Sequence, residues 1–249
     1  MSNLVLENLQ VTVSNKIVVA GANLELSPCS VHVLMGRNGS GKSSLINAII
    51  KTPGYLVSGG SASIDGCSFA EMSVDQIAHS GLFVSCQYPQ EISGLSNGAF
   101  IKSMANIRSQ KLGFPALGSG AFLKEAKDVC AKLGISEDFL RKNVNSEMSG
   151  GERKRNELLQ LHFFKPCFAL LDEIDSGLDV DAWDLAISFI KAEQKELGFG
   201  LLIVTHNSKV VDRFPDCKVH LMTDGGIVKS GGADLAKLVD SIGYEGALK

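Results

Sequence analysis

The stretch "GRNGSGKS", residues 36–43, sets two glycines, a lysine and a serine in the spacing G-x-x-x-x-G-K-S, with a third glycine between. That combination suits a polyphosphate. Glycines let backbone N–H groups converge on dense negative charge, and a helix that follows adds positive potential at its N-terminus. Lys42 then reaches the terminal phosphates, and the Ser43 hydroxyl is offered to Mg²⁺. The expected nucleotide-binding set is Gly36, Arg37, Asn38, Gly39, Ser40, Gly41, Lys42, Ser43 and Ser44. Arg37 either adds charge near the phosphates or faces solvent, and solvent is the favoured reading.

A second cluster lies in "FALLDEIDSGLD", where four apolar residues precede Asp172 and Glu173. Carboxylates at the C-terminal end of a buried strand sit where a doubly wound sheet places its ligand chemistry. Asp172 is expected to hold Mg²⁺ through water, and Glu173 to orient or deprotonate an attacking water. On its own such a pair reads more readily as a solvated turn; the phosphate-loop motif upstream reverses that. His206 in "LLIVTHNS" also follows an apolar run, where it either organises a γ-phosphate or bonds a local carbonyl. Gln87, after "GLFVSC", is placed to contact Mg²⁺ or the water.

A third stretch, "MSGGERKRNELL", carries Ser149 as a helix N-cap and Glu152 three positions on, a capping box. Gly150 and Gly151 exceed what a cap needs. Two adjacent glycines cost backbone entropy, and at a helix N-terminus they form an anion site without the lysine of a full cradle.

The elements that must position these groups are readable from apolar periodicity. "NLVLENLQVTV", "SVHVLM", "SASIDG", "GLFVSC", "FALLD" and "GLLIVT" read as strands, and residues 44–50 as a helix. The helix "DAWDLAISFIKAEQKEL" between two apolar strands makes a βαβ crossover and hence a mainly parallel sheet. "NGAFIKSMANIRS" and "AFLKEAKDVCAKLG" give helices around a loop at 113–120, and "CKVHLMTDGGIVKSG" a hairpin with an Asp-Gly-Gly turn. The expected fold class is α/β. Residues 1–249 form a single domain, with 1–95 and 165–249 as core and β-rich edge and 96–164 as a helical subdomain.

Composition narrows the class of function. A chain of 249 residues with 45% hydrophobic and 20% charged residues is an ordinary globular composition. The net charge of −3 gives no general pull toward nucleic acid or anionic lipid. Apolar runs such as 168–171 and 201–204 are far too short to span a bilayer, and the first residues lack the pattern of a secretory or transit segment. A cytoplasmic location is expected, with a plastid stroma for a plastid-bearing source. The six cysteines form no C-x-x-C pair, so neither zinc nor an iron–sulfur cluster is expected on this chain, and the thiols should be reduced and mostly packed.

In their order, the phosphate loop, Gln87, "SGGE", "FALLDEIDSGLD" and "VTHN" resemble the ATP-binding cassette (ABC) ATPases, over residues 36–207. The resemblance implies a P-loop core, ATP and Mg²⁺ as ligands, and hydrolysis in a head-to-tail pair of cassettes. In such a pair Ser149, Gly150, Gly151 and Glu152 act in trans on the partner's ATP, beside a D-loop of Ser176, Gly177, Leu178 and Asp179. Within the family, "QYPQEISGLSN", "SGGERKRNELLQL" and "GGIVKSGG" are similar to the SufC group, soluble ATPases of iron–sulfur cluster assembly in the SUF system. That likeness implies SufB and SufD scaffold proteins as partners. The alternatives are the ATP-binding subunit of a membrane transporter and a nucleotide-gated adaptor without catalysis. One departure stands out: "LQVTVSNKIVV" has only aliphatic residues where many ABC proteins place an aromatic against adenine.

Overall fold

A computed structural model of the chain describes residues 3–85, 91–146 and 148–248. The strands begin with β1 (Leu4–Val13), β2 (Lys16–Leu26) and β3 (Val31–Met35), followed by helix α1 (Lys42–Ile49). Next come β4 (Leu56–Ile64), β5 (Cys67–Ser68), α2 (Val74–His79), β6 (Leu82–Ser85) and β7 (Ile92–Ser96). Helices α3 (Asn97–Lys111) and α4 (Ser119–Lys132), the short β8 (Asn143–Val144) and α5 (Gly150–Phe164) fill the middle of the chain. Then follow β9 (Phe168–Asp172), α6 (Val180–Leu197), β10 (Gly200–Val204), α7 (Val210–Arg213), β11 (Lys218–Thr223), β12 (Gly226–Gly231) and α8 (Ala233–Leu248).

Two compact units result: Met1–Gln87 with Cys167–Ile174 and Gly198–Lys249, and Tyr88–Pro166 with Asp175–Leu197. The first holds a six-stranded sheet in the order β12-β11-β3-β10-β9-β6 and a four-stranded antiparallel sheet in the order β2-β1-β4-β5. The six-stranded sheet is parallel except for β12, which returns from β11 through the expected Asp224–Gly225 turn. All five residues of β9 and of β10 are buried, the continuous apolar pattern of strands covered on both faces. Leu4, Leu6, Val11 and Val19 of the antiparallel sheet join Leu45, Ile46 and Ile49 of α1 and Leu170, Leu202 and Val204 in one core. Buried histidines tie β3, β11 and β12 together in the same sheet. His220 Nε2 meets His32 Nδ1 at 3.0 Å and His220 Nδ1 meets Ser230 Oγ at 2.7 Å. Burial pushes His32 down to about 4 and His220 to about 3, so both are neutral at ordinary pH.

Several elements depart from the sequence-based expectation. β2 is a full strand paired along β1, and α2 and α8 are helices that the apolar patterns had not picked out. Cysteines also differ from the expected packing: Cys130 and Cys217 are buried, whereas Cys29, Cys67 and Cys167 are exposed, and Cys86 lies outside the described residues. Small strand-end and turn positions keep the exposed three out of the core.

In the second unit α5 is an unusually polar buried helix. Lys154 and Glu157 pair at 3.3 Å, both buried, and Asn156 donates to Asn97 Oδ1 at 3.1 Å and Asn145 Oδ1 at 3.2 Å. Nearer its C-terminus His162 joins three helices. Its Nδ1 meets Glu193 of α6 at 2.9 Å and its Nε2 meets Glu125 of α4 at 3.0 Å. Two carboxylates on the two ring nitrogens call for the doubly protonated ring. Burial pushes the His162 pKa down, but the hydrogen bonds and charges of Glu193 and Glu125 outweigh it, and the net shift is upward. With the folded pKa above the unfolded 6.5, this stabilisation is full below the unfolded value and disappears as pH rises through the folded one. His162→Gln should therefore cost about 2 kcal/mol around pH 6 and progressively less around pH 9. Denaturant melts of both proteins at the two pH values check this. An equal gap at both would mean that the ring is neutral.

Candidate functional site

β3, β10 and β9 lie side by side in register, with Val204 level with Leu34 on one side and Asp172 on the other. Three chemically distinct segments therefore leave the sheet at one edge: the 36–41 turn after β3, Asp172 and Glu173 at the end of β9, and Thr205–His206 after β10. This is the carboxyl edge, where parallel α/β sheets bind ligands.

The turn after β3 is built by steric exclusion. A Cβ on Gly36 would stand 2.4 Å from Met222 O, and one on Gly41 would stand 2.5 Å from Val18 O, so neither position admits a side chain. Gly41 also has φ 105°, in the left-handed region that glycine occupies without penalty. From the far end of the chain, the Asp224–Gly225 turn clamps the loop: Gly225 N donates to Ser40 O at 3.1 Å, and Ala20 N donates to Gly225 O at 2.8 Å. Arg37 projects into solvent and pairs with Glu245 at 3.1 Å, in line with the solvent-facing reading. Asn38 and Gly39 are exposed, and Ser44 is half-buried on the first turn of α1.

Lys42 is buried at the start of α1, its Nζ donating to Gly36 O at 2.8 Å and Arg37 O at 3.0 Å. It curls over the loop with its charge inside the ring of backbone. Burial pushes its pKa down while Glu173 and Asp172 push it up, which puts lysine and both carboxylates within electrostatic reach of each other. Asp172 is almost wholly buried. Glu173 has φ 49° and its N–H donates to Val204 O at 2.9 Å, so the chain turns sharply just after β9. His206 is exposed at the head of β10, on a turn fixed by Thr205 N to Leu34 O at 3.2 Å and Asn207 N to Thr205 Oγ1 at 2.9 Å. Gln87, expected beside these groups, lies outside the described residues.

The residues suit a polyphosphate with a hard divalent cation. The crowded glycines leave a ring of backbone with a lysine over it, and Ser43 and Asp172 offer hydroxyl and carboxylate oxygens, which Mg²⁺ prefers.

In the second unit the capping box at α5 is formed as expected. Glu152 N donates to Ser149 Oγ at 3.2 Å, and Ser149 N donates to Glu152 Oε2 at 2.9 Å. Bonds from Ser149 and the nearby Lys142 ammonium hold the Glu152 carboxyl below its usual range. The two glycines differ. A Cβ on Gly150 would meet nothing within 4 Å, whereas one on Gly151 would stand 3.3 Å from Gly177 O and 3.4 Å from Leu178 Cδ2. Gly151 thus serves the close seat of the Ser176–Asp179 loop, a local reason that sequence spacing does not reveal. Asp179 caps the entry to α6, its Oδ1 accepting from Ala182 N at 2.8 Å.

Comparison with known proteins bears on this arrangement. The family model described as "ABC transporter" matches residues 19–176. "Vegetative protein 296" of Bacillus subtilis (strain 168) is 39% identical over 98% of this chain and 92% of its own length. "ABC transporter I family member 6, chloroplastic" of Arabidopsis thaliana is 38% identical over 93% of this chain and 68% of its own. An ATP-binding cassette solved as a dimer in a post-hydrolysis state bound to ADP and Pi superposes with a TM-score of 0.75. It is 20% identical, covering 94% of this chain and 99% of the other, which shows a shared fold.

Replacing Lys42 by Met keeps the length of the side chain and removes its charge from the loop. Titration calorimetry with ATP should show affinity lower by about tenfold or more, with thermal stability little changed. Undiminished ATP affinity would remove the loop from consideration as an anion site.

Proposed function

This chain belongs to the ABC transporter family of ATPases, and we propose that it hydrolyses ATP with Mg²⁺ in a head-to-tail pair of cassettes, working on a SufB/SufD scaffold in iron–sulfur cluster assembly. The observation that carries the catalytic part is the level carboxyl edge, where Lys42, Asp172, Glu173 and His206 emerge from three adjacent strands. Backbone N–H groups of residues 38–44 and the Lys42 ammonium would hold the β- and γ-phosphates. Ser43 and Asp172 would hold Mg²⁺, together with Gln87; the cation, when bound, supplies neutralisation of phosphate charge. Glu173 accepts a proton from water as the water oxygen bonds to the γ-phosphorus and the bond to the ADP oxygen breaks. His206 orients the γ-phosphate and that water from the neighbouring strand.

Ser149, Gly150, Gly151 and Glu152 would complete the partner's site. Gly150 is the open one of the pair, with its amide at the start of a 15-residue helix, so approach from outside meets no side chain. The D-loop residues Ser176–Asp179 lie against that turn and would report its engagement. The SufC assignment rests on the sequence stretches quoted above. The apolar surface of the helical unit, with Phe114 64% exposed and Ile107 51% exposed, offers a place for a scaffold to dock. Among the described residues no helix is long and apolar enough to cross a membrane. A cytoplasmic or stromal site of action follows from this reading. The rival, a transporter's ATP-binding subunit, has the family model's own description in its favour.

Glu173→Gln keeps side-chain size and loses the base, so bound ATP should persist and hold two cassettes together. Light scattering should then show dimer on adding Mg-ATP, more readily with scaffold present, which raises the local concentration. Adding Gly150→Asp puts a negative charge where a helix N-terminus favours it for folding and where it repels an incoming phosphate. The double variant should stay folded and monomeric. A dimer that survives Gly150→Asp would reduce the glycine pair to a helix cap. Proteins that copurify with the native chain separate cluster scaffolds from multi-span membrane proteins, and the latter result would favour the transporter reading.

A further inference from the structure

Helix α8 is broken near its end. Gly243 has φ 73° and ψ 171°, a conformation essentially restricted to glycine. Beyond this joint the last turn, Tyr244–Leu248, lies against the outer limb of the phosphate loop. Tyr244, Glu245 and Leu248 face Asn38 and Ser40 across a cavity of about 440 Å³. Three ties fasten the arm. Glu245 accepts from Arg37 at 3.1 Å, Lys229 Nζ donates to Ala247 O at 2.6 Å, and before the joint Asp240 accepts from Ser208 Oγ on the loop that carries His206. One helix thus touches both the phosphate loop and the segment after β10.

The Arg37–Glu245 pair is exposed on both sides and contributes little. The weight falls on Tyr244. Its ring is half-buried, and its hydroxyl lies beside the Gly36 backbone yet outside hydrogen-bonding geometry to any described residue. Burial pushes its pKa up, and the Gly36 backbone works in the opposite direction. Ser40 Oγ, buried on the other wall of the cavity, likewise has no partner among the described residues. The loop is held from within by Lys42 and, at Ser40, by the backbone bond from Gly225; on its outer side the Tyr244 ring stands beside Gly36 and lines the cavity with residues 37–40.

We propose that Tyr244, presented by the Gly243 joint, is a positioning residue that braces the phosphate loop from outside. The consequence for ATP rests on the reading of residues 36–44 as a polyphosphate cradle; the brace itself does not. Because a Cβ on Gly243 would meet nothing within 4 Å, Gly243→Ala acts through backbone conformation alone and displaces the arm without a clash. Gly66→Ala is the matched control, with φ 74° and equally open space, at the turn between β4 and β5.

The test is amide hydrogen exchange of the nucleotide-free protein, read in peptides covering residues 36–41. Gly243→Ala and Tyr244→Ala should speed exchange there by about threefold or more, Gly66→Ala should not, and Tyr244→Phe, which keeps the ring, should restore protection. ATP affinity should fall by about fivefold in the first two variants and stay at the wild-type value in the others. Unchanged loop exchange in Gly243→Ala and Tyr244→Ala overturns the proposal, as does an increase that Gly66→Ala matches. The exchange result decides even if the wild-type protein binds no ATP, an outcome that would count against the nucleotide reading instead.

Discussion

Parallel hydrogen bonding among β3, β10 and β9 is the constraint on which the rest depends. Because all three run in the same direction and in level register, whatever follows each strand is delivered to the same edge. Packing on both faces enforces that register: a slip by one residue would put side chains of different size and shape where the fully buried Leu170, Leu202 and Leu34 fit. The polar residues at the strand ends are held by a core that contains none of their chemistry. Lys42 depends on this directly, since its buried charge is offset by backbone carbonyls below it and by two carboxylates brought in from β9.

Much of this was legible in the sequence because it is local. The glycine spacing of residues 36–41, the apolar run before Asp172 and the run before His206 are each contained in a dozen residues, and the sheet follows from their alternation with helices. β2 escaped notice although a signal was present: Ser14 and Asn15 both take positive φ, as a two-residue hairpin requires, and Asn is a favoured residue there. Helix α8 was obscured by Gly243 and Gly246, which read as loop residues unless the apolar spacing of Leu235, Ala236 and Val239 is followed through them. The partner of Gly151 was beyond reach. Its neighbour Gly177 is far along the chain, and only folding reveals that the glycine makes room for a loop of its own protein.

The two glycines of "SGGE" show how one short motif carries two requirements. Gly151 answers an internal need for close packing, and Gly150 leaves the helix end open to the outside. The cap formed by Ser149 and Glu152, supported by Lys142 at 3.3 Å from Glu152, fixes the direction in which that end points. Further along the same helix, the ion pair of Lys154 and Glu157, the asparagine cluster and His162 add polar contacts to the buried Leu158, Leu159, Leu161, Phe163 and Phe164. Such contacts are directional, so the helix has one rotational setting about its axis and the exposed glycine one orientation.

The strand order has a consequence for how the chain is made. β3 is flanked in the sheet by β11 and β10, both from the last quarter of the sequence, and the turn that clamps Ser40 is Asp224–Gly225. During synthesis the phosphate loop leaves the ribosome well before the strands and the turn that become its neighbours. Until β10 and β11 emerge its strand has neither sheet partner, and until residues 222–225 emerge Gly36 lacks the Met222 carbonyl that crowds it and Ser40 lacks its clamp. Nucleotide therefore meets no finished cradle on the nascent chain, and the apolar β3 stays unpaired at least until β10 has been made. Premature termination shortly before the β11–β12 hairpin would leave a chain that contains Lys42, Asp172, Glu173 and His206 but lacks the Met222 carbonyl and the Gly225 clamp that shape the loop.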